Sequence, residues 1–235
     1  MTPPEPPLTR VAWPYAYRII RSRFPPIDLF EDIADPADWE ALASAEAKTN
    51  PRVMESVGNL DLVPVHRRVS GPGATWVMAP FVHVAPDRPS RFADGTYGVL
   101  YAGDRFEVAV FETAYHHGRF MAATNEPPGW TSGFRELVTR VDAELHDVRG
   151  DPRFADCLDR HSYAAAHALA RRLRTQGAEG IVYPSVRNPD GDAIAAFWPD
   201  VVDLPVQGRH LTYHWDGARV DRIHDATNGT VYALR

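Results

Sequence analysis

From Arg91 onward the apolar residues fall into runs whose spacing points to particular elements. Gly98-Val99-Leu100-Tyr101-Ala102 has the character of a short strand, and the period then changes. Phe106, Val110, Phe111 and Ala114 stand at helical spacing behind Asp104-x-x-Glu107, which has the form of a capping box with Asp104 as N-cap and Glu107 at N3. A helix is therefore expected to about His117, with Gly118 as its stop. Residues 134–145 read as a strand or a strand pair. Residues 160–176 are Ala-rich, contain good helix formers and close on Gly177, so a second helix is expected there. Two apolar runs follow, Gly180-Ile181-Val182-Tyr183 and Ala193-Ile194-Ala195-Ala196-Phe197-Trp198, with a polar loop between them. Near the end, 211–215 and 218–223 flank Asp216-Gly217, a strong hairpin signal.

The first ninety residues are patterned differently, because 14 of the 21 prolines fall there and interrupt every run. Met1 to Pro7 reads as a disordered or extended tail over 1–9. A helix is expected over 39–48, with Asp35-Pro36-Ala37-Asp38 to start it and Asn50-Pro51 to end it. The β-branched and aromatic run from Thr75 to Val84 reads as a strand, placed at an edge or a bulge by Pro80. The sum is an α+β fold with many strands. It forms a single domain over 10–235, divided into a Pro-rich N-terminal elaboration (10–90), a core (91–200) and a C-terminal hairpin (208–235).

Composition narrows the function classes. The chain has 235 residues and a net charge of −6, without a block of like charges, so nucleic acid is not expected as a direct ligand. Of its 25 cationic residues only Lys48 is a lysine, and neither glycines nor an apolar run precedes it. That disfavours a Walker-type phosphate loop and Schiff-base chemistry. The single cysteine, Cys157, excludes an internal disulfide and a multi-cysteine metal site, and it reads as a buried structural residue. No run is long enough to span a membrane, and the N-terminus lacks the form of a signal peptide. The expected location is the cytoplasm.

Candidate chemistry lies where polar residues interrupt apolar patterns. His116-His117 invites a metal reading, but no ligand follows at the spacing of a zinc helix, and adjacent helical residues point about 100° apart. No metal is therefore expected. Glu112 sits near the apolar stripe of its helix, where it faces either water or a cleft. Tyr101 puts a hydroxyl into an apolar strand. Arg91 precedes Gly95 and Gly98, which would let a ligand approach the backbone. Ser185 follows Tyr183-Pro184 at a strand end, where ligand loops commonly lie.

The order Arg91, Tyr101, Glu112, then Gly180-Ile181-Val182-Tyr183-Pro184-Ser185-Val186-Arg187, resembles the RES domain family, which is named for its Arg, Glu and Ser. Tyr17-Arg18-Ile19, Ala109-x-x-Glu112 with His116 a turn later, and Leu173-Arg174-x-x-Gly177 add to the likeness, which spans about 17–198. Around the first Arg the family often has Gly-Gly-Arg-Trp-Asn where this chain has Pro89-Ser90-Arg91-Phe92-Ala93. The resemblance implies an ADP-ribosyltransferase-like mixed sheet with flanking helices. It also implies a toxin of a toxin–antitoxin pair that consumes NAD+ as substrate, needs no cofactor and is restrained by an Xre-type antitoxin, through which it can oligomerise.

On that resemblance Arg91 grips the pyrophosphate, helped by Arg18 or Arg187, since a guanidinium suits a bidentate hold on phosphate. Glu112 stabilises positive charge developing on the ribose, Tyr101 offers a face to nicotinamide, and Ser185 holds a phosphate or ribose oxygen. The alternatives are ADP-ribosyl transfer to a protein, a non-catalytic nucleotide-binding module and a metal-dependent hydrolase built on His116 and His117.

Overall fold

The computed structural model describes residues 4–22, 37–39, 41 and 58–234. Most of the helix expected at 39–48, and Lys48, lie outside the described residues. Eight strands form one mixed sheet: β1 (Leu8–Arg21), β2 (Leu100–Gly103), β3 (Thr131–Asp147), β4 (Gly180–Pro184), β5 (Asp192–Ala196), β6 (Val206–Trp215), β7 (Val220–Asp225) and β8 (Val231–Ala233). Three named helices pack on it: α1 (Ala74–Val82), α2 (Phe106–Ala122) and α3 (Ala164–Thr175). The expected α+β class with a mixed sheet and flanking helices is the one observed.

The strand order is β1-β2-β5-β4-β3-β6-β7-β8, and a further pairing joins β1 to β3. That extra pairing turns the first five strands into a closed ring, from which β6, β7 and β8 extend. Among the described residues only β3 and β4 run parallel. The proline-rich beginning thus contributes β1, which pairs with β3 from Leu8↔His146 to Arg21↔Phe134, with an irregularity between Trp13 and Ala16. Ahead of β1 the carbonyls of Pro6 and Pro7 accept hydrogen bonds from the His146 ring and the Asp147 N–H.

Period-two alternation on β4 and β5 sends Val182, Ile194 and Ala196 to one face and Ile181, Tyr183, Ala193 and Ala195 to the other. Both faces are covered, by α1 on the first and α3 on the second, which is why these strands read as unbroken apolar runs. A third cluster packs Phe106, Ala109, Val110 and Ala114 of α2 on Ile19, Phe134, Leu211 and Ile223.

Three expectations need correction. Residues 75–84 are not a strand: α1 occupies 74–82 with Pro80 inside it. Ala74, Val77, Met78, Phe81 and Val82 are buried at i, i+3, i+4, i+7 and i+8, and this helical stripe outweighs the strand propensity of the individual residues. The capping box does not form either. Asp104 is engaged by the Arg105 side chain (3.1 and 3.3 Å), and Arg105 takes the N-cap position without a side-chain cap. Nor does Gly118 end α2. The buried stripe Val110, Ala114, His117 and Met121 runs through it, and the helix continues to Ala122. By contrast the hairpin turn, with Gly217 at φ +104°, and the Gly177 helix end, at φ +83°, form as expected.

Candidate functional site

A cavity of about 340 Å³ opens between β1, β2, α2 and the loop before β2. Its lining includes Arg18, Arg91, Tyr101, Glu112 and Arg187, five of the six residues singled out from the sequence. Each arrives on a different element. The β1–β2 register, Tyr17↔Gly103, sets Arg18 beside Tyr101, and the Arg18 Nη1 donates to the Tyr101 carbonyl (3.1 Å). Burial lowers the Arg18 pKa to about 10, and its buried Nε has no hydrogen-bond partner among the described residues.

Arg91 is anchored from behind. Its Nη1 donates to the carbonyls of Cys157 (3.0 Å) and Asp159 (2.8 Å), and its guanidinium carbon lies 4.9 Å from the centre of the Tyr163 ring. Part of the group expected to grip a ligand therefore holds the short 3₁₀ helix Pro152–Leu158 in place. Cys157 is buried as expected, and burial raises its thiol pKa. Tyr101 is also tied to the protein: its hydroxyl accepts the Phe92 N–H (2.8 Å) and shares a hydrogen bond with Ser90 Oγ (2.9 Å). Burial pushes that hydroxyl up to about 12, so it stays protonated at neutral pH. His167 Nε2 donates to the Ser90 carbonyl (2.7 Å), and the loop around Arg91 is held on both sides.

Ser185 lies just after β4, at the strand end as expected, and its hydroxyl is engaged within the protein. It is 2% exposed, and its Oγ donates to Glu112 Oε1 at 2.7 Å while accepting the N–H groups of Asn188 (3.1 Å) and Arg187 (3.3 Å). One hydroxyl thus fixes the carboxylate of α2 to the loop after β4. Gly98 differs from expectation. A Cβ there would fall 2.0 Å from the Pro80 carbonyl oxygen, so this glycine admits α1 rather than a ligand.

His116 lines the cavity, whereas His117 is 6% exposed and packs edge-on against Phe134, with ring centres 5.0 Å apart. The two imidazoles therefore do not converge on a common ion, and no group of three metal-ligating side chains occurs among the described residues. Sequence reasoning missed Tyr163, Tyr183 and Ser90. Tyr163 precedes a helix and Ser90 lies in a loop, with no local pattern to mark either. Tyr183 is read as a strand residue, yet it is packed edge-on against Phe92 at 5.0 Å.

The electrostatic character follows from the charges present. Among the described residues none of Arg18, Arg91 and Arg187 forms an ion pair with a carboxylate. Three arginines and one fixed carboxylate, Glu112, thus line the same small cleft, a balance suited to a ligand that carries negative charge.

The RES domain family matches residues 64–216. The chain is 30% identical over 209 residues to an uncharacterized protein, y4oC, of Sinorhizobium fredii (strain NBRC 101917 / NGR234), with 88% of this chain and 86% of that protein covered. The crystal structure of the M. tuberculosis MbcT–MbcA toxin–antitoxin complex is similar with a TM-score of 0.44 and 9% identity, over 86% of each chain.

Proposed function

The chain belongs to the RES domain family, and on that premise we propose that its cleft cleaves NAD+ at the bond between nicotinamide and ribose. The observation that carries this reading is the presence in one cleft of three guanidiniums without carboxylate partners among the described residues and a single carboxylate fixed by a serine. NAD+ presents both complements, an anionic pyrophosphate for the guanidiniums and a ribose that becomes positively charged as its N-glycosidic bond breaks.

In this mechanism nicotinamide leaves as a neutral ring with the electron pair of the broken C1′–N bond. The ribose C1′ becomes an oxocarbenium centre. Glu112 stabilises that charge and accepts a hydrogen bond from a ribose hydroxyl, while Ser185 keeps its carboxylate from turning away. A water or phosphate oxygen then bonds to C1′, and the water case releases one proton. An oxocarbenium ion is trapped by weak nucleophiles, so the acceptor needs no strong base. Arg18 and Arg91 hold the pyrophosphate from β1 and from the loop before β2, and Tyr101 supplies a wall for the nicotinamide half.

Loss of NAD+ would make the protein a toxin acting in the cytoplasm, restrained by an Xre-type antitoxin that covers the cleft. No helix among the described residues is long and apolar enough to cross a membrane. The test is to incubate purified protein with NAD+, with and without phosphate, and to follow free nicotinamide. Release in either condition supports the reading, and its absence in both refutes it.

A further inference from the structure

A second cavity of about 400 Å³ lies on the neighbouring flank of α2. Glu112 and His116 face the first cavity, while Phe111, Ala114, Tyr115 and Gly118 line the second. Helical geometry explains the division, since residues at i and i+4 share a face and their immediate neighbours point about 100° away. Arg187 lines both cavities. Its guanidinium carbon sits 3.4 Å from the centre of the Tyr115 ring, which lines the second cavity, so Arg187 is held where both cavities reach it. The Nη2 of Arg187 is buried without a hydrogen-bond partner among the described residues, an unmet donor at a residue shared by both cavities.

Size and chemistry together indicate what the second cavity holds. The first cavity stands at the small end of the roughly 300–1,000 Å³ range of ligand pockets, and a dinucleotide is a large occupant. The second is lined by Phe111, Ala114, Gly118, Val220 and Leu234, apolar surface suited to a flat purine. Its charged lining residues, Arg119, Arg187 and Arg219, are all cationic, and Asp216 lies 3.9 Å from Arg219.

We propose that this second cavity is the subsite for the adenylate half of the substrate, with Arg187 bridging the two halves through the pyrophosphate. The proposal rests on the reading of the first cavity as the nicotinamide–ribose site. It makes Arg187 a residue that selects dinucleotides over mononucleotides. A substrate lacking the adenylate reaches Glu112 without using the second cavity.

Ala122→Trp and Ala218→Trp test this by filling the cavity from two exposed positions on different elements. With NAD+ each variant should raise KM about tenfold or more, equivalent to roughly 1.4 kcal/mol, while kcat/KM for nicotinamide mononucleotide stays within about twofold of the parent. An unchanged KM for NAD+ in both variants overturns the proposal, as does an equal loss for both substrates. AMP binding, followed by calorimetry at millimolar ligand, separates this proposal from the reading it rests on. If the parent releases no nicotinamide, the NAD+ reading has failed. The adenylate subsite then stands if the parent binds AMP and the two variants do not, and it falls if the parent binds no AMP or the variants bind it equally.

Discussion

Removing one atom at Ser185 separates a positioning role from direct contact with substrate. Ser185→Ala deletes the Oγ that donates to Glu112 and accepts from the backbone of Arg187 and Asn188, and it leaves the Ser185 N–H to Gly191 carbonyl bond intact. A hydrogen bond to a charged group contributes about 1.5–3 kcal/mol. If that energy holds Glu112 in its productive rotamer, its loss lowers kcat by about 10–150-fold at 1.4 kcal/mol per tenfold. KM should move by less than about threefold, because the hydroxyl is buried behind the carboxylate. Two N–H groups also lose their acceptor, so a stability loss of about 2 kcal/mol and a Tm drop of roughly 4–8 °C accompany it. Nicotinamide release at saturating and limiting NAD+, with a thermal melt on the same samples, reads all three quantities. Ser185→Thr, which keeps the hydroxyl, should recover much of kcat. A raised KM with unchanged kcat would refute the positioning role and make Ser185 a direct substrate ligand, and an unchanged kcat and Tm would refute both.

Other outcomes follow from single residues. Burial, aided by the Arg21 charge, lowers the His117 pKa to about 4, against about 6.5 in the unfolded chain. The unfolded state therefore binds the extra proton between these values, and stability falls by up to about 3 kcal/mol as pH drops from about 6.5 to about 4. Denaturant melts should show this slope, and His117→Phe should remove its share of it. Arg18→Met takes away a desolvated cation with no carboxylate partner among the described residues, so Tm should hold or rise while KM for NAD+ rises about 10–100-fold. A fall in Tm with unchanged KM would argue against an anion-binding role. Gly98→Ala would force its Cβ into the Pro80 backbone, and a loss of at least about 3 kcal/mol, or failure to fold, is expected in expression and melting assays. Near-parental stability would show that α1 can shift away.

Much of the fold was legible where pattern and chemistry agree. The period of β4 and β5, the Gly177 helix end and the Asp216-Gly217 turn all depend on neighbours within a few residues, and each formed as read. The readings that failed depend on distant contacts. No strand was expected in the proline-interrupted residues 8–21, and β1 forms there through its register with β3, from Arg21↔Phe134 to Leu8↔His146. Residues 74–82 carry strand formers, yet burial of one face makes them a helix. At the site three of the four polar residues marked by the pattern, Arg91, Tyr101 and Glu112, line the cleft, and Arg18 and Arg187, which came from the family resemblance, line it as well. The fourth, Ser185, was legible in identity and not in direction, because only the packing of α2 against the loop after β4 reveals that its hydroxyl faces Glu112.

The central claim is that the Glu112 carboxylate carries the chemistry. Glu112→Gln tests it most directly, since the amide keeps the shape and an oxygen for the Ser185 hydroxyl while removing the charge. Nicotinamide release from NAD+ should fall by about 100–1,000-fold in kcat with an unchanged Tm, the loss expected when a preorganised charge is taken from a developing cation. Release at the parental rate would contradict the account.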